Sequence, residues 1–448
     1  MLHGASNGEL QVWSKGSFLK GFKDKARPHT SCLDAIAVVQ DKYILTGGKD
    51  HTICVMDTSF KVLQKINTYT LFPKCFNGNV RALTYKAKGN KLCVGLFSSE
   101  IYECTLTVIA QGKMEVQNVL SGHYSNSTVW TNEVWGLERY QRNTDLYLTC
   151  SMDGTFREWS ISKKTQTRAI RLDIDEKGSV LPLRTDPKGK NDLQDMGKLM
   201  CIGIDMEDKF AAVGCKDGTV RFVDLTGPEL RQTKVIKLSK QWISDIKWSP
   251  QNDKLAIGSH DNAIYILTWP ELTIPRRSKM QKHSSFITHL DWSSDGSFLH
   301  STCGAYELLF WDANSYKQMT SGATALRDEP WHTWSTTLGW PVQEIFRDNW
   351  DGSDVNMVFR SDNKFGSSPS NKYPLLATGD DEGKVRVYRW PVLRKNAGVV
   401  CGDGHSSHVT NVRFMDNDNW AISTGGEDQC VFLWRVIGSG DKVKYLSN

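Results

Sequence analysis

The sequence lacks the features that usually identify an enzyme or a metal site. Its 11 cysteines include no C-x-x-C pair and no His/Cys spacing suited to zinc. Its Gly-rich dipeptides precede Asp turns rather than helices, which argues against a phosphate-binding loop. No Ser/His/Asp set can be isolated from residues that recur so regularly along the chain. These absences predict a protein that is not an enzyme, with no cofactor and no bound metal.

The sequence also lacks a signal peptide and any apolar run of about 18 residues, the length that predicts a membrane-spanning helix. Its 55 basic and 50 acidic residues leave a net charge of only +5, far from the basic excess of nucleic-acid-binding proteins. Several cysteines, such as Cys150 and Cys215, lie inside apolar runs, where they behave as small hydrophobes in a reducing compartment. We therefore expect a soluble, intracellular protein that binds neither nucleic acid nor membranes.

What the sequence does contain is a repeat, which is clearest near the C-terminus. Gly404-His405 precedes an alternating apolar run, a second run ends at Gly425, a turn contains Asp428, and a third run ends at Trp434. Alternation with a period of two predicts half-buried strands. The pattern is typical of a WD repeat, one four-stranded blade of a β-propeller. In such a blade the His, the Asp and the Trp indole N–H can hydrogen-bond to one another. The predicted network of this repeat is His405, Asp428 and Trp434, and that of an earlier repeat is His123, Asp153 and Trp159.

The turn residue of this repeat recurs with a baseline of about 44 residues, close to the period of a four-stranded blade. Alternating helical segments are absent, which excludes βαβ folds. The predicted fold is therefore an all-β WD-repeat β-propeller of about seven four-stranded blades in residues 73–448, with inserts at 173–198 and 313–354. Residues 1–72 supply one and a half further repeats, as partial blades from the end of a preceding propeller. The turn positions are Asn7, Asp50, Ser98, Asp153, Asp217, Asp261, Ala305, Asp381 and Asp428.

Two stretches that depart from the repeat are candidate partner-binding surfaces. One interpretation of the aromatic stretch is extra core, because Trp is mostly buried, and the other is a binding patch, because Trp is enriched at binding hot spots. Its candidate residues are Trp331, Trp334, Trp340 and Trp350. The second stretch is basic and is either an ordinary solvated loop or a contact for an acidic partner. Its candidate residues are Arg276, Arg277, Lys279 and Lys282.

Several irregular strings resemble the echinoderm microtubule-associated protein-like (EMAP-like) family. They are Gly258–Asn262, His283–Trp292, Leu338–Val342, Asp351–Asn356 and Gly404–Phe414. Members of that family carry two tandem propellers and associate with microtubules, so this chain resembles the end of the first propeller followed by the whole second one. Neither the coiled-coil region nor the hydrophobic motif that precedes the family's first ring is seen in the sequence.

The resemblance implies a non-catalytic microtubule-associated scaffold that binds tubulin or microtubule-associated partners through propeller surfaces. Its expected location is the cytoplasm and the microtubule cytoskeleton, extending to ciliary proteins and the ciliary axoneme. Tubulin surfaces are acidic, so binding through basic loops should weaken as salt screens the charges.

Two alternatives stay open at the level of the sequence. One is a WD-repeat adaptor in a signalling or ubiquitin-ligase complex, although no Trp-Asp-x-Arg string follows a third strand and Trp311–Asn314 is the nearest approach. The other is a propeller that binds peptides or phosphopeptides through arginines of the third strands, Arg157, Arg221 and Arg386.

Overall fold

A computed structural model describes residues 1–22, 27–73, 75–105, 115–124, 132–172, 197–346, 352–362, 374–415, 418–439 and 442–446. The chain divides into two compact units, residues 1–128 and residues 129–448, here called unit 1 and unit 2. Apart from two helices of four residues and one 3₁₀ turn, the described residues form strands, turns and loops. Every sheet is antiparallel and its strands follow one another along the chain. The predicted all-β propeller fold is confirmed.

Unit 1 contains three sheets among its described residues, one of three strands and two of four. The three strands of the first sheet are β1 (Leu2–Gly4), β2 (Leu10–Ser14) and β3 (Ser17–Phe22). The next sheet is followed by a short helix; its elements are β4 (Leu33–Val39), β5 (Tyr43–Gly48), β6 (Thr52–Asp57), β7 (Val62–Asn67) and α1 (Thr68–Leu71). The third sheet consists of β8 (Val80–Lys86), β9 (Lys91–Leu96), β10 (Ile101–Thr105) and β11 (Glu115–Leu120).

The described residues of unit 2 form six sheets. The first two contain β12 (Val134–Arg139), β13 (Leu146–Ser151), β14 (Thr155–Ser160) and β15 (Thr165–Arg171), then β16 (Leu199–Ile204), β17 (Phe210–Cys215), β18 (Thr219–Asp224) and β19 (Arg231–Lys237). Two sheets of three strands follow, with β20 (Ile243–Trp248), β21 (Lys254–Ser259) and β22 (Ile264–Thr268), then β23 (Ile287–Trp292), β24 (Phe298–Cys303) and β25 (Leu308–Asp312).

A helix, α2 (Gly322–Ala325), and the 3₁₀ turn Trp340–Val342 separate these from the last two sheets. The fifth sheet contains β26 (Val355–Arg360), β27 (Leu375–Asp380), β28 (Lys384–Arg389) and β29 (Val399–Asp403). The sixth contains β30 (Val409–Met415), β31 (Trp420–Gly425), β32 (Val431–Ser439) and β33 (Lys442–Leu446).

The first three strands of each sheet in unit 2 form its core. All six residues of β14 are buried, whereas β19, the outer strand of the next sheet, alternates between exposed and half-buried residues. This gradient arises because the inner strands have a neighbouring sheet on both faces, so they lose the polar alternation of a strand that faces water. Burial of those apolar residues is the main source of stability of the unit.

The sheets of unit 2 close into a ring through their first strands. β12 packs against β16, β16 against β20, β20 against β23, and β26 against β30, while β30 returns to pack against β12. Between β23 and β26 the His289 Nε2 lies 2.9 Å from the carbonyl oxygen of Asn356. Each first strand also carries a β-bulge at its second residue. Bulges bend a strand and re-aim its side chains, and here they lie around the centre of the ring.

The boundary between the units differs from the one that the repeat spacing predicts. The predicted propeller runs over residues 73–448 with about seven blades, whereas unit 2 begins at residue 129 and its described residues form six sheets. The sheet formed by β8–β11 lies in unit 1, where β8 packs against β4. Repeat spacing counts blades but does not reveal which first strand meets the last one. The insert predicted at 173–198 falls almost entirely outside the described residues.

Candidate interaction surfaces

The polar network of the last blade joins two strands of unit 2, β31 and β32, to the turn between them and to the loop before β30. The Trp434 indole N–H donates to the Ser423 hydroxyl at 2.8 Å, and that hydroxyl lies 2.7 Å from His405 Nε2. The other ring nitrogen, His405 Nδ1, lies 2.9 Å from an Asp428 carboxylate oxygen. Burial raises the pKa of Asp428, but the hydrogen bonds from His405 and from backbone N–H groups outweigh it and leave the pKa below its usual 3.8. The predicted residues meet here as a structural network.

The earlier repeat shows part of the same arrangement. Asp153 accepts hydrogen bonds from the Thr155 N–H at 2.8 Å and from its hydroxyl at 2.6 Å. The Trp159 indole N–H donates to Thr149 Oγ1 at 2.7 Å. His123 is buried and belongs to unit 1. Asp153 thus holds the turn between β13 and β14, and Trp159 ties β14 to β13.

In the blade built from β23 to β25, Glu307 replaces the turn aspartate that Ala305 cannot supply. His283 Nδ1 lies 3.3 Å from Glu307 Oε2, and His283 Nε2 lies 2.6 Å from Ser301 Oγ. Hydrogen bonds from the backbone and side chain of Ser284 lower the pKa of Glu307 to about 2. The sequence pattern did not predict this residue, because the acid sits two positions beyond the expected turn.

The same blade contains a group that could chelate a metal. Ligand atoms of His283, Cys303 and Glu307 lie within 4.8 Å of one another, a grouping found once among the described residues. Both ring nitrogens of His283 already have protein partners, Glu307 and Ser301. The geometry therefore fits the polar network of a blade.

The tryptophan-rich insert is mainly core. Trp331 is 2% exposed and Trp334 is 4% exposed. Trp331 stacks on His300 with 3.7 Å between ring centroids, and Trp334 packs against Trp390 at 5.1 Å. Burial also lowers the pKa of His300 to about 3, so its ring stays neutral in this stack. Trp331 and Trp334 are thus almost fully buried, as the core interpretation predicts, although both line an open pocket of about 320 Å³ beside Trp340.

Hydrogen bonds made by side chains fasten the insert to the fourth sheet of unit 2. Asp291 accepts the N–H of Trp334 at 2.5 Å and the hydroxyl of Thr333 at 2.9 Å. The Ser335 hydroxyl donates to the Leu290 carbonyl at 3.1 Å. The insert thus occupies the sector between the fourth and fifth sheets, where a regular blade strand is missing.

The other two candidate tryptophans differ from this pair. Trp340 is 46% exposed, and the Arg327 guanidinium lies 3.9 Å from its ring centroid. It is the member of the predicted patch that reaches the surface within the described part of the insert. Trp350 lies outside the described residues.

The basic stretch runs along the outer edge of the third sheet. Met280 is buried and exchanges two 2.9 Å backbone hydrogen bonds with Ile264 of β22, which holds the stretch where a fourth strand would lie. Lys279 lies 3.4 Å from Asp261 and 5.0 Å from the Tyr265 ring centroid. The remaining members are exposed, namely Arg276, Arg277 and Lys282. The stretch presents positive charge to solvent from an anchored backbone.

The three arginines considered as peptide-binding residues, Arg157, Arg221 and Arg386, are buried. Arg157 lies 4.0 Å from Asp153, Arg221 donates to Gln232 at 3.0 Å, and Arg386 pairs with Asp380 and Glu382. Their exposed fractions are 0%, 5% and 8%. This arrangement corrects the expectation of an arginine-based binding surface, since a buried and paired guanidinium cannot meet a peptide.

The centre of unit 2 contains a cavity of about 330 Å³ that the sequence pattern did not predict. Five aromatic residues of its lining come from three sheets or the turns beside them and are Trp135, Trp242, His260, Phe286 and Tyr306, here called the aromatic rim. Trp242 and Phe286 each directly precede a first strand, so their recurrence was the available signal. Phe286 is 40% exposed and Tyr306 is 65% exposed.

Contacts among these rings hold the rim in place. The His260 ring stacks on Trp242 at 4.9 Å and on Phe286 at 4.5 Å between centroids. Burial lowers the pKa of His260 to about 4, so the ring is neutral near pH 7. The Tyr306 hydroxyl donates to Asp354 at 2.8 Å. The rim is therefore an ordered, uncharged aromatic surface bordered by a carboxylate.

The deep end of the cavity is charged. Asp245 lines it and accepts the Leu290 N–H at 2.8 Å, while its other oxygen lies 3.8 Å from Lys247 Nζ. Arg413 also lines it and pairs with Glu138 at 3.1 Å, across the closure of the ring. Burial raises the pKa of Glu138, but the charges of Arg413 and Lys247 outweigh it and lower the pKa below its usual value.

No helix in the described part of the chain has both the length and the apolar character needed to cross a bilayer.

Comparison with known proteins agrees with the resemblance seen in the sequence. The model of a family described as the echinoderm microtubule-associated protein second beta-propeller matches residues 134–436. The chain is 32% identical to the 77 kDa echinoderm microtubule-associated protein of Lytechinus variegatus, over 98% of this chain and 58% of that protein. It is 31% identical to the human echinoderm microtubule-associated protein-like 3, over 98% of this chain and 45% of that protein.

A third relative, the rat echinoderm microtubule-associated protein-like 1, is 32% identical over 97% of this chain and 47% of its own length. The chain thus spans about half the length of the curated relatives it matches. The family match starts at the first strand of unit 2 and ends in its last sheet. The chain belongs to the echinoderm microtubule-associated protein family, and unit 2 carries that family's second β-propeller.

Proposed function

We propose that this chain is a non-catalytic, microtubule-associated scaffold that binds tubulin or microtubule-associated partners through propeller surfaces. The observation that carries the proposal is the family match over residues 134–436, together with relatives whose names describe microtubule-associated proteins. The proposed location is the microtubule cytoskeleton of the cytoplasm, including that of cilia.

The basic stretch of unit 2 is the surface we assign to this contact. Arg276 and Lys282 are exposed at either side of the buried anchor Met280. An anchored backbone loses less conformational entropy on binding than a free loop does, which favours affinity. Positive charge on this edge suits an acidic filament surface, and the attraction should weaken as salt screens it.

Co-sedimentation of the full chain with taxol-stabilised microtubules tests the proposal. We expect the chain to pellet at low salt and to pellet less as the ionic strength rises. Arg276→Glu with Lys282→Glu should reduce pelleting at low salt. The matched control is Lys163→Glu with Lys164→Glu, which makes the same change in net charge at two exposed positions elsewhere in unit 2.

A folded chain that stays in the supernatant at low salt would overturn direct microtubule binding and favour the adaptor alternative. Equal loss of pelleting in both double variants would instead show that net charge, and not the basic stretch, controls binding. Circular dichroism of each variant establishes that the sheets remain folded.

A further inference from the structure

We infer that the central cavity of unit 2 binds a cationic side chain, lysine or arginine, presented by a partner peptide. The inference goes beyond the proposed microtubule association, which assigns no role to the cavity. It depends on three features of the described residues: an ordered aromatic rim, an excess of carboxylates around it, and a pocket deep enough for one long side chain.

The aromatic rim supplies the first feature. The faces of Trp and Phe rings carry negative electrostatic potential and attract cations placed within about 6 Å of the ring centroid. The rim already shows this chemistry, because Lys216 Nζ lies 4.1 Å from the centroid of Trp242. Phe286 and Tyr306 are the most exposed rings of the rim. They offer aromatic surface that a ligand can reach without unfolding any element.

Carboxylates supply the second feature. The Trp135 indole N–H donates to Glu133 at 2.5 Å, and Asp354 accepts the Tyr306 hydroxyl. Asp381 accepts the amide of Asn356, another cavity-lining residue, at 2.8 Å. Three acids, Glu133, Asp354 and Asp381, thus border the rim, where Lys216 is the cation in contact with an aromatic ring. An anionic peptide group would be repelled here, whereas an ammonium or guanidinium would be attracted.

The deep end adds to this balance. The charged residues that line this end are Asp245 and Arg413. Arg413 is already engaged by Glu138, and His260 at the rim is neutral near pH 7 because burial lowers its pKa. The charge of Arg413 is therefore compensated by its ion pair, and Asp245 is the carboxylate that lines the cavity at this end, 3.8 Å from Lys247 Nζ.

The depth of the cavity supplies the third feature. Trp242 at the rim precedes Asp245 by three residues, which corresponds to at most about 10 Å along the chain because Ser244 between them forms a bulge. A lysine or arginine side chain is long enough to bring its charged head towards Asp245 while its methylene stem lies between the rim rings. Such side chains commonly place their apolar stem against apolar surface and their charge at a polar group. A short side chain would leave the deep end unoccupied.

Selection from a displayed library of random seven-residue peptides against the full chain tests the inference. We expect the recovered peptides to share a lysine or arginine at one fixed position. Fluorescence anisotropy of a recovered peptide then gives its affinity for the chain and its variants. Replacing the shared basic residue of that peptide by glutamine should abolish binding.

Two substitutions in the rim separate the forces involved. Phe286→Leu keeps an apolar side chain but removes the π face, and should weaken binding by about two- to thirtyfold. Asp354→Asn keeps the shape but removes the charge, and should weaken it by about two- to fivefold. The matched controls are Trp340→Leu and Asp328→Asn, which alter an exposed aromatic and an exposed acid away from the rim and should leave affinity unchanged.

Several results would overturn the inference. These are recovery of no peptide, recovery of peptides without a shared basic residue, or peptides whose affinity is insensitive to both rim substitutions. The outcome is separable from that of the microtubule experiment. If the chain fails to pellet but binds cationic peptides through the rim, direct microtubule binding is refuted and the cavity assignment stands. If the chain pellets with microtubules but binds no cationic peptide, the cavity assignment is refuted and microtubule binding stands.

Discussion

The ion pair between Glu138 and Arg413 joins the first and last sheets of unit 2, so its removal tests how the ring closes. Arg413 Nη2 lies 3.1 Å from Glu138 Oε2, and Arg413 Nε lies 3.3 Å from Oε1. The two side chains are 2% and 9% exposed. Breaking a buried pair by removing one partner leaves an uncompensated charge and costs about 3–5 kcal/mol.

We therefore expect Arg413→Met to lower the free energy of unfolding of unit 2 by about 3–5 kcal/mol. Changing both members together, Glu138→Gln with Arg413→Met, should cost less than the sum of the two single changes, since neither charge is left alone. The matched control is Arg231→Met, which removes the partner of Asp224 from a pair whose arginine is 74% exposed. An exposed pair of that kind contributes about 0–1 kcal/mol.

Hydrogen exchange followed by mass spectrometry measures the effect where it arises. Peptides that contain β12 and β30 should exchange faster in the Arg413→Met chain, while Arg231→Met should leave them unchanged. Urea unfolding monitored by tryptophan fluorescence gives the loss of stability. Single variants within about 1 kcal/mol of the parent chain would refute the reasoning, as would additive single effects, because both results mean that the pair does not hold the closure together.

The remaining predictions concern a carboxylate, two tryptophans and two thiols. The pKa of Asp428 in the folded chain lies below 3.8, so its contribution to stability is present above pH 3.8 and is lost as the pH falls through the folded pKa. The melting temperature of Asp428→Asn should therefore drop less between about pH 5 and pH 3 than that of the parent chain. Equal drops would contradict this. Trp331→Ala should cost about 3–5 kcal/mol in urea unfolding, whereas Trp340→Ala should change it by no more than about 0.5 kcal/mol; similar costs would mean that burial does not distinguish the two rings. Maleimide should label the exposed Cys401 in the native protein and Cys150 only after unfolding, because burial raises the pKa of the Cys150 thiol and shields it; mass spectrometry of labelled peptides checks both sites.

The fold could be predicted from the repeat because the residues of each blade's polar network lie close together in the sequence. His405, Asp428 and Trp434 lie in one continuous stretch, and the structure connects them through Ser423. Glu307 was not predicted because a longer acid can reach the same histidine from two residues further along. A pattern that fixes both residue type and spacing overlooks such compensation.

The number of sheets in the ring could not be read from spacing, since closure depends on contacts between residues that are far apart in sequence. The insert shows the same difficulty. Composition suggested either core or binding for Trp331 and Trp334, and their burial depends on His300 and Trp390 on other elements. The cavity escaped prediction for a related reason, because it exists only where the first strands of all six sheets meet.

Ring closure cannot occur until the ribosome has synthesised the last sheet, long after the first. Glu138 and Arg413 are separated by 275 residues, and a ribosome adding about 5–20 residues per second needs roughly 15–55 s to make that length. Throughout that interval the first sheet exposes the apolar face around Leu137 and Tyr147, and the Glu138 carboxylate, to which the last sheet has not yet been added. Exposed apolar surface of this kind promotes aggregation. Nascent chains halted before β30 should therefore depend on chaperones in proportion to the length of the pause.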